Sequence, residues 1–99
     1  MVEFIPFAGQ DTLSFRQLDT LNKVPRGTSF RIFKRHRDRL VEGIDYFYLD
    51  ATTHGPFIEQ LRSRGLIHAA TPNAVLITRQ GYEKMRANDD RGGNVSGRR

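Results

Sequence analysis

Six basic side chains stand close together in one stretch of the chain, where they could bind a polyanion. The stretch runs from residue 26 to residue 39 and contains Arg26, Arg31, Lys34, Arg35, Arg37 and Arg39. Asp38 is its one acidic residue, so the stretch carries a formal charge of +5. Basic and acidic residues balance elsewhere, and the net charge of +5 therefore comes from this stretch. Such a block forms a positive patch, although a solvated basic helix is the alternative interpretation.

The types of these residues fit recognition of duplex DNA. Arginine forms paired hydrogen bonds with guanine in the major groove, and small hydroxyl side chains reach base edges or phosphates. If a helix places its first turns in the groove, the candidate base-reading residues are Thr28, Ser29, Arg31 and Arg35. The candidate phosphate-binding residues, which would supply affinity and register, are Arg26, Lys34, Arg37 and Arg39. For each hydroxyl the alternative is a helix cap, and for each arginine it is a surface ion pair.

Three consecutive aromatic residues, Tyr46, Phe47 and Tyr48, follow the basic stretch. The bases of a single strand stack on aromatic rings beside a basic groove, which makes binding of single-stranded DNA or RNA a hypothesis. Adjacent strand positions point to opposite faces, so Phe47 is predicted to join the core with Leu49. Tyr46 and Tyr48 are then the candidate contacts of a wing with DNA.

Patterns typical of metal binding or catalysis are missing from the sequence. It has no cysteine, and His36, His54 and His68 do not have the spacing of zinc ligands. It also shows no nucleophile with a base, no arrangement of paired carboxylates and no glycine-rich phosphate loop. The sequence therefore predicts a protein that is not an enzyme and that uses neither a cofactor nor a metal.

Two helices joined by a short turn are predicted to position the basic side chains. Ser14 and Gln17 have the spacing of a capping box, and Leu13 and Leu18 that of a hydrophobic staple. The first helix should run to about Asn22. The side chains expected to point inward from it are Phe15, Leu18 and Leu21.

The turn Lys23-Val24-Pro25-Arg26-Gly27 contains a helix breaker and a flexible residue, and Thr28 or Ser29 can cap the next helix. This second helix is predicted from Thr28 to Leu40, and the pair is a helix-turn-helix candidate. At 100° per residue, one side carries Phe30, Phe33, Leu40 and Val41, and the other carries Arg31, Arg35 and Arg39. Arg37 projects from the apolar side, so either its stem packs along the core edge or the helix phase differs from this one.

The remaining segments complete a small α+β, winged helix-turn-helix-like domain with short strands or hairpins and three to four helices. Val2 to Phe7 is predicted as an edge strand, because Pro6 cannot donate to a ladder. Gly43 should end the second helix, and Ile44 to Leu49 should form a strand that acts as a wing. Further expectations are a helix from Pro56 to Arg64 that stops at Gly65, a hairpin of Leu66–Ala69 with Ala74–Ile77, and a helix from Arg79 to Arg86 capped by Thr78. The domain is expected to span residues 1–87, with residues 88–99 as a disordered tail.

The chain resembles the N-terminal DNA-binding domains of phage antirepressors and related prophage regulators. The resemblance begins at about Leu13 and is carried by the run Phe33–Leu40 and the residues Glu42–Phe47 and Leu49. There the family commonly has a phrase similar to EG-x-D/H-Y-F-x-L, and looser agreement follows at Leu76–Gly81. The resemblance implies a prophage or mobile-element origin and binding of double-stranded DNA.

These features predict a sequence-specific, double-stranded DNA-binding protein of prophage or mobile-element type that acts as a transcriptional regulator. Two alternatives stay open: an antirepressor-type module that binds a repressor through apolar and aromatic surface, and an excisionase-like architectural factor that bends a recombination site beside a recombinase. A homodimer on DNA is expected, because one recognition helix contacts few base pairs.

No apolar run reaches the length of a bilayer, and the start MVEFIPFAGQD lacks the basic flank and long apolar region of a signal peptide. We therefore expect a cytoplasmic protein without a membrane partner, which is nucleoid-associated when bound.

Overall fold

Four α-helices, one turn of 3₁₀ helix and four short strands make up the described part of the chain. The computed structural model describes residues 3–87. In chain order the elements are β1 (Ile5–Phe7), β2 (Gln10–Ser14), α1 (Phe15–Leu21), α2 (Thr28–His36), the 3₁₀ turn (Arg37–Arg39), β3 (Tyr46–Leu49), α3 (Ala51–Ser63), β4 (Ala74–Thr78) and α4 (residues 79–87). The strands form one antiparallel sheet in the order β1-β2-β4-β3. This is a small α+β domain, as the sequence predicts.

Two hydrophobic clusters share the central strand β4, because successive strand residues point to opposite faces of a sheet. Ala74 and Leu76 belong to one cluster and Ile77 to the other. The first cluster joins the sheet to α3 and consists of Ile5, Leu49, Ile58, Leu61, Leu66, Ile67, Ala74 and Leu76. The second joins the sheet to α1, α2 and α4 and consists of Leu13, Leu18, Phe33, Leu40, Tyr46, Ile77 and Met85. The basic helix α2 is thus held on one face of the sheet.

The edge strand β1 turns directly into β2. Ala8 and Gly9 form a two-residue turn with φ angles of 53° and 77°, and two positive values are typical of the type I′ turn of hairpins. The predicted edge strand is confirmed for Ile5–Phe7, while Val2 lies outside the described residues. The hydrophobic pattern does not predict β2, because two of its buried positions are the polar Thr12 and Ser14. Their hydroxyls donate to the carbonyl oxygens of Ile5 and Leu66.

Helix α1 begins as predicted. The Gln17 N–H donates to Ser14 Oγ at 3.1 Å, and the Ser14 N–H donates to Gln17 Oε1 at 3.0 Å, which completes the capping box. Leu18 is buried, but the expectation that Leu21 points inward is wrong. Leu21 is the last residue of the helix and lies exposed along an open groove that Phe4 also lines.

Helix α2 is shorter than predicted, since it ends at His36 and passes into the 3₁₀ turn. Phe33 and Leu40 are buried as expected, but Phe30 and Val41 are exposed, so the predicted apolar side is wrong at these two positions. The buried side of α2 consists of Ser29, Phe33 and His36, and Phe30 lies to one flank of it. The 3₁₀ turn also changes the phase of the residues after His36, and Arg37 is exposed.

The segment after α2 differs from the prediction at its start. Gly43 does not end a helix: it stands in a turn with a φ of 91°, and β3 begins at Tyr46 rather than at Ile44. Helix α3 begins at Ala51 rather than at Pro56, with Asp50 accepting the Thr53 N–H at 2.7 Å.

Inside α3 the backbone of His54 is non-helical, with φ −118° and ψ 24°, so Pro56 lies just after a kink, where its missing N–H is tolerated. Gly65, with a φ of 74°, follows the end of the helix as predicted.

The predicted hairpin of Leu66–Ala69 with Ala74–Ile77 is wrong. Strand β4 has β2 on one side and β3 on the other, so both of its edges are already paired. Leu66 and Ile67 instead pack in the first cluster as irregular chain. The prediction for α4 is confirmed, because the Gly81 N–H donates to Thr78 Oγ1 at 3.1 Å and the helix starts at residue 79.

Two further expectations concern the ends of the chain and the membrane. The tail predicted for residues 88–99 lies outside the described residues. Within residues 3–87, each helix is too short or too polar to cross a bilayer.

Candidate nucleic-acid interface

The start of α2 is fixed by a side chain of α1. Asp19 is buried, and its two carboxylate oxygens accept the backbone N–H groups of Gly27 and Ser29, each at 2.8 Å. Neither Thr28 nor Ser29 is the N-cap, contrary to the prediction, because Gly27 occupies that position with a φ of 92°. The first turn of a helix has unpaired N–H groups, and here a carboxylate from the neighbouring helix satisfies two of them. The orientation of α2 relative to α1 is thereby constrained.

The inner side of α2 is held by aromatic packing. The ring of Phe33 lies 5.2 Å from the ring of Phe15 and 5.0 Å from that of Tyr46, which it meets edge-on. Such tilted and edge-on pairs contribute stability beyond the area that they bury. The opposite side of the helix is consequently presented to solvent as a rigid surface.

The exposed side of α2 and the following turn bring together most of the predicted DNA-contacting cations. The exposed members are Arg31, Lys34 and Arg35 on the helix and Arg37 and Arg39 on the 3₁₀ turn. Arg31 Nη2 donates to Thr28 Oγ1 at 3.3 Å, whereas Lys34 Nζ lies 5.2 Å from the centre of the Phe30 ring. Arg31 and Lys34 are thus directed to different sides of the helix. We call this the α2 basic surface.

Two predicted contacts are buried and therefore not available to DNA. Ser29 is only 4% exposed, and its N–H is bonded to Asp19, so the expectation that it reads bases is corrected. Tyr46 is buried against Phe33, so the expectation that it is a wing contact is corrected too. Sequence periodicity did not predict the burial of Ser29, because the inward direction at the start of α2 depends on where Asp19 caps the helix. It did not predict that of Tyr46 either, because the side of β3 that carries Tyr46 is covered by Phe33 of α2. Tyr48 is exposed, as predicted.

An open groove of about 350 Å³ lies where the start of α1, the start of α2 and residues 67–73 meet, with Tyr48 of β3 at its side. Phe30 and Tyr48, both exposed, line it together with Arg26 and His68. The ring of Phe30 also contacts Phe15, with 5.5 Å between the ring centres. Aromatic surface and cationic side chains therefore occur side by side next to the α2 basic surface.

Further cations, which the sequence did not single out, lie on this side of the domain. Arg16 of α1 and Lys23 of the connection line a cleft together with Arg26. Burial, followed by the nearby Arg26 and Arg16 guanidinium groups, lowers the pKa of His68 below its ordinary value of 6.5. Arg16 and Arg26 are far apart in sequence. They come together because residues 22–27, which connect α1 to α2, fold back beside α1.

A cation also lies on the other flank of α2. Arg86 of α4 lines a groove of about 250 Å³ together with Thr28 and Ile32. Tyr82, from the same helix, lines the groove as well, and its hydroxyl donates to Asn22 Oδ1 at 3.0 Å. The α2 basic surface therefore has additional positive side chains on both flanks, from elements distant in sequence.

The histidine and carboxylate side chains of the described residues are not grouped as metal ligands. Among residues 3–87, no group of three or more histidine, aspartate or glutamate side chains is placed to hold a metal ion. His68 lines the groove that also contains Phe30 and Tyr48, whereas His54 packs against Phe7 with 5.8 Å between ring centres.

No family model, curated protein or solved structure matches the chain. The resemblance to phage antirepressor domains thus stays a prediction carried by the residues between Leu13 and Leu49. A function for the protein has to be inferred from the geometry of the α2 basic surface.

Proposed function

We propose that the protein binds duplex DNA sequence-specifically through the α2 basic surface and acts as a regulator of prophage or mobile-element type. The observation that carries the proposal is the arrangement of α2 itself. One side is locked into the core by Phe33, and the other presents Arg31, Lys34 and Arg35 to solvent. A helix that is anchored on one side and cationic on the other is suited to the major groove, which admits an α-helix.

The direction of the side chains divides their roles. Arg31 lies beside Thr28 near the start of the helix, where base edges are within reach, so we assign base reading to Thr28, Arg31 and Arg35. Lys34 is turned to the Phe30 flank, and we assign phosphate binding to it. The remaining phosphate contacts that we assign are Arg26, Arg37 and Arg39, joined by Arg16 and Arg86 on the two flanks.

The capping of α2 supports side-chain rather than main-chain contacts with phosphate. A helix N-terminus normally attracts anions through its unpaired N–H groups. Here the Asp19 carboxylate already occupies that position. Phosphate binding is therefore assigned to the guanidinium and ammonium groups.

In this proposal α1 and α2 form the helix-turn-helix. Residues 22–27 join them, which is longer than the three or four residues usual in this motif. The exposed Tyr48 on edge strand β3 is assigned as the contact that a wing would make with DNA. A homodimer on a two-fold site and a cytoplasmic, nucleoid-associated location stay predictions.

Duplex binding is tested by titrating a labelled random duplex at several salt concentrations. Because each neutralised phosphate releases counterions, about six contacts should weaken binding about a thousandfold between 50 and 200 mM salt. Arg39→Ala should make the salt dependence shallower by about one contact. Arg64→Ala is the matched control, since Arg64 pairs with Glu3 at the end of α3, outside the α2 basic surface. No binding even at low salt would contradict the proposal.

Binding to another protein is a second candidate function, favoured by one observation. Val41 and Ile44 are 48% and 49% exposed just after the basic 3₁₀ turn. Exposed apolar groups that lie together can mark a docking surface. A Val41→Ser, Ile44→Ser double variant that binds DNA normally but no longer represses or activates a promoter would assign this pair to a protein partner.

A further inference from the structure

Phe30 is an unusual residue beside the α2 basic surface. It is 45% exposed, although it is a large apolar residue in the first turn of a cationic helix. It is nevertheless held in place, because its ring contacts Phe15 and lies beneath the ammonium group of Lys34. A fixed, half-exposed aromatic ring is available for contact with a binding partner.

The surroundings of Phe30 restrict what can cover it. Arg31 follows it in sequence, Lys34 lies over its ring, and Arg26 lines the same groove. An apolar protein surface placed here would have to desolvate these cations without compensation, which costs free energy. The partner that fits is a polyanion that also presents a small apolar group.

Duplex DNA offers that combination in the major groove. The 5-methyl group of thymine is the apolar feature there, and phenylalanine is among the side chains that contact it. The phosphates alongside match the cations around the ring. From this juxtaposition we infer that Phe30 is a specificity-determining residue that selects thymine by contacting its 5-methyl group. The inference rests on the proposed function and adds a base preference to it.

The test replaces thymine by deoxyuridine, which removes the methyl group and keeps base pairing. The preferred duplex is first selected from a random library with the wild-type protein. Each thymine is then replaced singly. At the contacted position, deoxyuridine should weaken wild-type binding about fourfold, the factor that corresponds to burying one methyl-sized group. Phe30→Ala should bind the thymine and deoxyuridine duplexes equally, and Phe30→Leu, which stays apolar, should keep part of the preference.

Arg39→Ala is the matched control, because it removes a cation from the 3₁₀ turn without touching the ring. It should weaken both duplexes and preserve their ratio. If the wild-type protein binds its preferred duplex but tolerates deoxyuridine at every position, the inference is overturned while the proposed function stands. If Phe30→Ala keeps the full thymine preference, another residue makes the contact, and the inference is likewise overturned. If the wild-type protein binds no duplex at all, the proposed function fails and takes this inference with it.

Discussion

The carboxylate of Asp19 in α1 accepts the backbone N–H of Ser29 in α2 at 2.8 Å, and both residues are buried. Its second oxygen accepts the Gly27 N–H at the same distance. A cap of this kind normally comes from the residue at the start of the helix itself. Here it comes from the preceding helix, so one side chain both starts α2 and fixes its position against α1.

Removing this cap should destabilise the protein. In Asp19→Ala, two N–H groups lose their acceptor, and we expect the free energy of unfolding to fall by about 1–3 kcal/mol. Asp19→Asn keeps one acceptor oxygen and should lose less. The measurement is chemical denaturation followed by circular dichroism. The exposed Asp11 of β2 provides the control, because Asp11→Ala should change stability little. Equal effects of Asp11→Ala and Asp19→Ala would refute the assigned role.

The two sides of the α2 basic surface should respond differently to substitution. Arg31→Ala and Arg35→Ala should each weaken the preferred site more than a random duplex, by about 1–3 kcal/mol at the matching base pair. Lys34→Ala should weaken both duplexes about equally, because phosphate contacts carry no sequence information. Competition binding with both duplexes measures this difference. Circular dichroism checks folding, which should persist since all three side chains are exposed. Unchanged discrimination in both arginine variants would remove α2 as the reading helix.

Gly81 should not tolerate a methyl group, even though alanine usually stabilises a helix relative to glycine. A Cβ atom at Gly81 would lie 2.0 Å from the carbonyl oxygen of Asp45. This oxygen is a backbone atom and accepts a hydrogen bond from the Thr78 N–H. Gly81→Ala should therefore lower the free energy of unfolding by about 1–3 kcal/mol, as in other overpacked sites. Thermal unfolding measures this effect.

Gly55 in α3 is the matched control, since a Cβ there meets nothing within 4 Å. Gly55→Ala should be neutral or stabilise by up to about 1 kcal/mol. A stabilising effect of Gly81→Ala would show that α4 does not pack against Asp45 as described.

The stability of the fold should decrease at mildly acidic pH because of His68. Burial, and then Arg26 and Arg16, lower the pKa of His68 in the folded state, so the unfolded chain binds the proton more readily. As pH falls below 6.5 towards the folded-state pKa, the free energy of unfolding should therefore decrease. Denaturation at a series of pH values measures the slope. His68→Gln should flatten this slope below pH 6.5, whereas His54→Gln, at a distant position, should leave it in place. An unchanged slope in His68→Gln would contradict the assignment.

Features that depend on near neighbours in the chain could be predicted from the amino-acid sequence alone. The capping box of Ser14 and Gln17 and the cap by Thr78 were predicted correctly, because each needs groups only three residues apart. The exposure of Arg31 and Arg35 was predicted too, since charged side chains stay in water and the helix period separates them from Phe33. The small α+β class followed from the same local patterns.

Features that depend on partners far along the chain could not be predicted in this way, because they are set by the packing of the whole domain. The pairing of β4 with both β2 and β3 cannot be read from local hydrophobicity, so the predicted hairpin at Leu66 failed. The start of α2 depends on Asp19, which buried Ser29 and left Phe30 half-exposed, and no local pattern contains that contact. Arg16 and Arg86 join the flanks of the basic surface only because α1 and α4 pack beside α2. Local hydrogen bonds and helix periodicity act over three or four residues, whereas strand pairing and a cap from another helix are selected by the packing of the whole domain.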